Sequence, residues 1–477
     1  MLRLLLFALA ATFLVTVSSG QVPDSLFKGI HQIHNETFYL KPSADEAKMA
    51  GMPASLLQAS TKLVNRKVIG WHPYWAAADA YQKYNYNALT HIAYFSYEVD
   101  IATGGYLTVR DWNSTPIISY AHNRGTKVLL TVTNFGSERN TVLLSDTVKQ
   151  TTLLNSVRNL LISRNGDGVN FDFESLPLSQ RENMVDFIRR AVRIIRAQLP
   201  AAEISIATPA VDWSGSWDLA ALGALCDYII IMGYDYYWRG SSTAGPVAPL
   251  EGENYNVTRT VNTYLSAGVP ADRLLLGVPW YGYDWPVTSS ARKATATGTA
   301  TARFYSAAVS VAESHSPVFD QSTKVPWLAY LSSANWRQMW YDDPESLGYK
   351  YDLVAEKDLA GIGIWALSYE GDDQKMWSSI VTSFSGHEPE TDAILKIYPI
   401  PATGPVTVEM YLDSEKAAEI LVYDYAGRET LIVRSGEMPE GFHMLEFDMT
   451  GFATGVYLCV MRTNSKTITR RLLFIGN

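Results

Sequence analysis

Eight short runs of β-branched and aliphatic residues recur between Lys67 and Ala366, most closing on polar or aromatic residues before stretches with helical spacing. They are Lys67–Trp71, His91–Ser96, Lys127–Thr133, Gly168–Glu174, Glu203–Pro209, Tyr228–Tyr234, Leu274–Pro279 and Gly361–Ala366. Runs such as Tyr228-Ile229-Ile230-Ile231-Met232 are continuously apolar, as strands covered on both faces must be. Between two of them, Arg181–Gln198 brings Met184, Phe187, Ile188, Val192 and Ile195 onto one helical face. Eight strands alternating with helices predict an α/β fold, a closed parallel (β/α)8 TIM barrel over residues 66–384. An open doubly wound sheet is the competing architecture, but no GxGxxG phosphate loop follows the first run.

One connection, about 286–358, is too long for a single crossover helix. Its helical piece Tyr305–Ser314 and strand-like runs Trp327–Leu331 and Trp336–Tyr341 predict a small α+β insertion walling one side of a cleft. At the N-terminus, Arg3, the apolar stretch Leu4–Val17 and the small residues Ser18-Ser19-Gly20 read as a signal peptide over residues 1–20. Residues 21–65 carry a weaker pattern, with Ala44–Val64 helical around a break at Pro53, and read as a segment packed on the barrel or as a prosegment. After a polar linker, 385–392, the texture becomes period-two alternation punctuated by turns, which predicts an all-β sandwich over 393–477.

Composition narrows the chemistry. A net charge of −9 excludes a phosphate-binding basic face, so nucleic acid is not an expected partner. The two cysteines, Cys226 and Cys459, lie in apolar runs of different predicted domains and read as buried hydrophobes. The eight histidines are scattered without HExxH spacing, so neither a metal nor another cofactor is expected. Aromatics reach 12% of the chain, an excess that suits either a large core or rings that stack on sugar faces.

The segment Asp167-Gly-Val-Asn-Phe-Asp-Phe-Glu174 carries the strongest chemical signal. On a strand, Asn170, Asp172 and Glu174 share one face and Val169, Phe171 and Phe173 the other. The apolar set should pack outward on helices while the polar set points into the barrel, with Glu174 at the C-terminal end where barrel enzymes place their reacting groups. A row of buried polar groups costs free energy unless it is fully satisfied or functional. Two nearby carboxylates also divide their roles, because an ionised Asp172 raises the pKa of Glu174 and keeps it a proton donor. An ordinary two-carboxylate retaining site needs a separate nucleophile, and no second acid is evident on another strand. Assistance by an acetamido group of the substrate would fill that gap.

This run resembles the DxxDxDxE signature of glycoside hydrolase family 18, the chitinase family. Met232-Gly-Tyr-Asp235 is similar to the family's MxYD motif, Trp340-Tyr-Asp-Asp343 to its YDD run, and Gly361-Ile-Gly-Ile-Trp365 to its eighth strand. The likeness covers about residues 66–384. It implies that Glu174 is the acid/base and that Asp172 orients and charge-balances the acetamido group as an oxazolinium intermediate forms. It further implies that Tyr234 hydrogen-bonds that group, that Asp235 and Met232 help hold the sugar, and that Trp365 is the floor. Asn170 stands where the family has its middle aspartate; it could still donate a hydrogen bond to Asp172 but adds no charge. Trp71, Trp75, Trp280 and Tyr281, at strand ends, are candidate sugar platforms.

The implied function is a secreted hydrolase of β-1,4-linked N-acetylglucosamine polymers, working as a monomer on chitin-like chains. The wording Gly168–Glu174 and Gly282-Tyr-Asp-Trp285 is closer to the branch of spore-cortex and cell-wall glucosaminidases, so peptidoglycan is the alternative substrate. A non-catalytic sugar-binding barrel is the reading from another class, although a lectin has no need of an acid at position 174. Tyr398-Pro-Ile-Pro401, Val422-Tyr-Asp424 with Gly427-Arg428, and Gly455-Val-Tyr457 resemble the sorting domain of the type IX secretion system. That likeness implies export through the periplasm to the medium or outer surface, with the secretion machinery as a partner.

Overall fold

The computed structural model describes residues 28–40, 62–385 and 392–476. The expected signal peptide, nearly all of the expected linker and most of Ala44–Val64 lie outside these residues.

The first unit is a closed barrel. Its strands, in chain order, are Lys67–Pro73, His91–Val99, Lys127–Phe135, Gly168–Glu174, Glu203–Pro209, Tyr228–Met232, Leu274–Pro279 and Gly361–Trp365. Each pairs in parallel with the next, and the eighth returns to the first through Lys67 opposite Gly361 and Gly70 opposite Ile364. The first three strands run two or three residues beyond their expected ends, whereas the sixth stops at Met232, before Tyr234, and the eighth at Trp365, before Ala366.

The fourth strand shows why the barrel closes as it does. Phe171 and Phe173 point outward and meet Phe187 of the helix Arg181–Arg196 at ring distances of 5.0 and 5.4 Å. That helix buries Met184, Phe187, Ile188, Ala191 and Ile195 on one face. The alternate set turns inward, where Asn170 lies opposite Ser205 of the fifth strand. Asp167 stays at the strand's entry, accepting from the Val128 amide at 2.6 Å and His122 Nε2 at 2.7 Å. It ties neighbouring strands together away from the cleft.

The insertion after the seventh strand is a five-stranded antiparallel sheet followed by the helix Pro344–Glu356. It begins at Tyr281 rather than near Pro286, because Tyr281–Pro286 is itself a strand, paired with Thr301–Phe304 and Asn335–Tyr341. Only Trp280 separates Pro279 from Tyr281, so no polar residue marks the passage from one strand to the next. Asp343 caps the following helix in a capping box, and fully buried Asp342 pairs with Lys350 Nζ at 2.5 Å. The YDD run therefore anchors the insertion.

The second unit holds a three-stranded sheet of Ala393–Tyr398, Pro405–Leu412 and Gly441–Asp448, with the middle strand second in the chain. A four-stranded sheet of Glu429–Met438, Lys416–Asp424, Gly455–Thr463 and Thr467–Phe474 completes it. Their alternating residues, among them Val406, Val408, Ile420, Val422, Cys459 and Met461, form one core. Cys226 and Cys459 are buried free thiols.

Candidate active site

At the C-terminal ends of the barrel strands, Asp172 and Glu174 leave the fourth strand, Trp365 ends the eighth, and Tyr234 and Asp235 follow the sixth. Asp235 adopts a left-handed backbone (φ 59°), which turns the chain away from the strand just as the two side chains reach the mouth. Tyr281 donates to Asp235 Oδ1 at 2.5 Å. Met232 is half-buried at the end of the sixth strand, opposite Gly277.

The segment before the barrel carries no site residue in the sequence pattern, yet a helix from it, α1 (Ile30–Phe38), fills this mouth. His31 Nδ1 lies 2.8 Å from Asp172 Oδ2, and His31 Nε2 lies 2.6 Å from the Tyr234 hydroxyl. The imidazole stacks on Trp365 with centroids 3.6 Å apart and 23° between planes. The Ile30 amide donates to Asp235 Oδ2 at 3.0 Å. Backbone amides of Gly29 and Gln32 donate to the Glu174 carboxylate. Nothing in the sequence marks His31 as a ligand of the site; a lone histidine on a short helix has no periodic signature.

Burial dominates the electrostatics. The Glu174 carboxyl is pushed well above its ordinary range by burial first, then by Asp172 and Asp235, with the Gly29 and Gln32 amides opposing. Asp235 is pushed up to about 7 by burial, against the hydrogen bond from Tyr281. Glu174 therefore holds a proton at pH values where an exposed carboxyl has lost it. His31, Asp172 and Glu174 bring ligand atoms within 4.8 Å of one another, a spacing a cation would also accept. The direct imidazole–carboxylate hydrogen bond supplies the attraction without one.

Asn170 differs from expectation. Its carbonyl accepts from Trp71 Nε1 at 3.0 Å and its amide donates to Ser205 Oγ at 3.1 Å, so the expected bond to Asp172 is replaced by these two. The neighbouring strand supplies a nearer acceptor, while Asp172 has turned to His31. Of the candidate platforms, Trp71 presents an edge to the imidazole, 5.2 Å away at 60°, and is fully buried. Trp280 is also fully buried, its amide donating to the Trp365 carbonyl at 2.8 Å. Trp75 stacks on Phe38 of α1, centroids 5.2 Å apart.

A closed barrel with a protonatable carboxyl, a second carboxylate and an aromatic floor at its strand ends defines a glycosidase. The chain belongs to the glycosyl hydrolases family 18, whose model matches residues 68–370. Residues 396–475 match the secretion system C-terminal sorting domain, which marks a secreted or cell-surface protein. A provisionally assigned sporulation-specific glycosylase, YdhD of Bacillus subtilis (strain 168), is 29% identical over 57% of this chain and 64% of its own. A cortical fragment-lytic enzyme of the same organism is 27% identical over 53% of this chain and 59% of its own. This chain thus spans less than two thirds of either relative. The family 18 chitinase of Cycas revoluta solved with (GlcNAc)3 superposes with a TM-score of 0.61 at 20% identity, covering 66% of this chain and 99% of that one.

Proposed function

We propose that the chain hydrolyses β-1,4-linked N-acetylglucosamine polymers with retention, using the substrate's own acetamido group as nucleophile. The observation that carries this reading is that Asp172, Glu174, Tyr234 and the face of Trp365 all surround one point, the His31 ring, so that carboxylates, a hydroxyl and an aromatic face converge there. Glu174 gives its proton to the glycosidic oxygen as the bond to the anomeric carbon breaks. The acetamido carbonyl oxygen attacks that carbon, and the resulting oxazolinium carries positive charge on its nitrogen beside Asp172. Tyr234 donates to the carbonyl oxygen and holds it for attack. Water then adds to the anomeric carbon, losing its proton to the Glu174 carboxylate, and the ring reopens with the starting configuration.

Chitin-like oligomers are the proposed substrate, and the glycan of peptidoglycan is the second reading, favoured by what the two Bacillus relatives are named for. The sorting domain's proposed route is type IX export across the periplasm, delivering a monomer to the medium or outer surface. Reducing-end release from chitin oligomers and from purified cell wall, wild type beside Glu174→Gln, tests both readings. Equal and measurable rates for the two chains on either substrate would overturn the role of Glu174, and the preferred substrate decides between the polymers.

A further inference from the structure

A nine-residue helix is too short to persist alone in water, so α1 exists because the cleft holds it. Its positive N-terminal end faces Glu174 and Asp235, whose carboxylates accept from the Gly29, Ile30 and Gln32 amides. Arg110 lies at the opposite end, donating to the Tyr39 carbonyl at 3.5 Å and stacked 3.7 Å over Tyr74. Tyr74 in turn donates to the Asn35 carbonyl. Both helix ends thus meet charge of the favourable sign. His34 Nδ1 accepts from Tyr369 at 2.9 Å and from Trp365 Nε1 at 3.2 Å. On the solvent side, Glu36 is exposed and pairs with Lys28.

His31 makes the contacts that the proposed function gives to the sugar: the face of Trp365, the Asp172 carboxylate and the Tyr234 hydroxyl. Gly29 comes so close to the acid that an added Cβ would lie 2.2 Å from Glu174 Oε2. A substrate sugar and α1 therefore cannot share the site.

We propose that residues 28–40 are a built-in competitive inhibitor of this chain, with His31 standing in for the reactive sugar, so that the protein is latent until the segment leaves the cleft. The inference rests on reading the cleft as the sugar site. The inhibitor is tethered ahead of the first barrel strand, so its docking is intramolecular and independent of protein concentration. A cut anywhere within residues 41–61 would remove that advantage and let the segment dissociate on dilution.

Gly29→Val should expel α1 by collision with Glu174 Oε2 while leaving the barrel's own residues untouched, and His31→Ala is a second route without added bulk. In the full chain, hydrogen exchange should find the α1 amides protected in wild type and released in both variants. Hydrolysis of an N-acetylglucosamine tetramer should rise at least tenfold in each. Free exchange of α1 in wild type would overturn the proposal. So would release of α1 with neither tighter tetramer binding nor faster hydrolysis in either variant. Tighter binding of the tetramer on release of α1, read by tryptophan fluorescence, with no hydrolysis in any chain, would sink the hydrolase reading and leave the inhibitor standing.

Discussion

His34 offers a quantitative handle on the docked helix. Its Nδ1 accepts from Trp365 Nε1, a group that can only donate, so docking requires the neutral imidazole with its proton on Nε2. Burial, then His31 and Arg239, hold its pKa down from 6.5 to about 3. The sign follows from linkage: a histidine depressed on docking contributes full stability above its free value and loses it as pH falls toward the docked one. At about pH 5 the released form gains ~2 kcal/mol over the docked form, a roughly 30-fold weakening, against less than twofold at about pH 7. The free value sets this result, because pH 5 lies well above the docked value. The raised carboxyls of Glu174 and Asp235 also titrate, and they favour or oppose docking on their own account. His34→Asn removes the titration while keeping an acceptor near the Nδ1 position, and leaves the carboxyls in place. The assay is kcat/KM for the tetramer at about pH 7 and pH 5 in both chains, because this ratio scales with the open fraction while the closed form dominates. On moving from pH 7 to pH 5, wild type should gain roughly 25-fold relative to His34→Asn. A ratio near one would mean that His34 is protonated when docked, or that α1 does not control access.

In the Gly29→Val chain, Glu174→Gln should lower kcat by about 10²–10⁴ while KM stays within a few fold, since a lost proton donor acts mainly on the transition state. With Glu174 raised by burial and its carboxylate neighbours, activity should persist above the ordinary carboxyl range and fall as pH rises through the shifted value. Asn170→Asp should keep the acceptor for Trp71 Nε1 but lose the amide donor to Ser205, whose hydroxyl must turn from the Val169 carbonyl to the new carboxylate; the added negative charge beneath Asp172 should move that alkaline limb upward in a pH–rate profile. Lys350→Met should leave fully buried Asp342 without its cation and cost ~3–5 kcal/mol in urea unfolding.

The barrel was legible because its signal is repeated. Each strand is buried on both faces, so eight apolar runs announce themselves independently, and an error at one end does not disturb the rest. The fourth strand was legible residue by residue, since a period of two leaves only one way to bury Phe171 and Phe173 against Phe187. Side-chain partners were not. Asn170 had two acceptors within plausible reach, and only the register opposite Ser205 selects between them. The start of the insertion is unmarked because Trp280 alone separates the barrel strand ending at Pro279 from the insertion strand beginning at Tyr281, without any polar break between them.

The docked helix was illegible for a deeper reason. Its nine residues bury Ile30, His31, Ile33, His34 and Asn35, a set too polar to register as a core-facing stripe. What selects these residues is the cleft, which offers carboxylates at Asp172, Glu174 and Asp235 around an aromatic face and so is short of donors. Buried carboxylates without donors are costly, and either the amides and imidazole of α1 or the polar groups of a bound sugar can satisfy them. The deficit that suits the cleft to the proposed acetamido sugar is the one that α1 satisfies. Strengthening the site for substrate, for example with another acceptor beside Asp172, should therefore also tighten the inhibitor, and the two affinities are coupled through the same atoms.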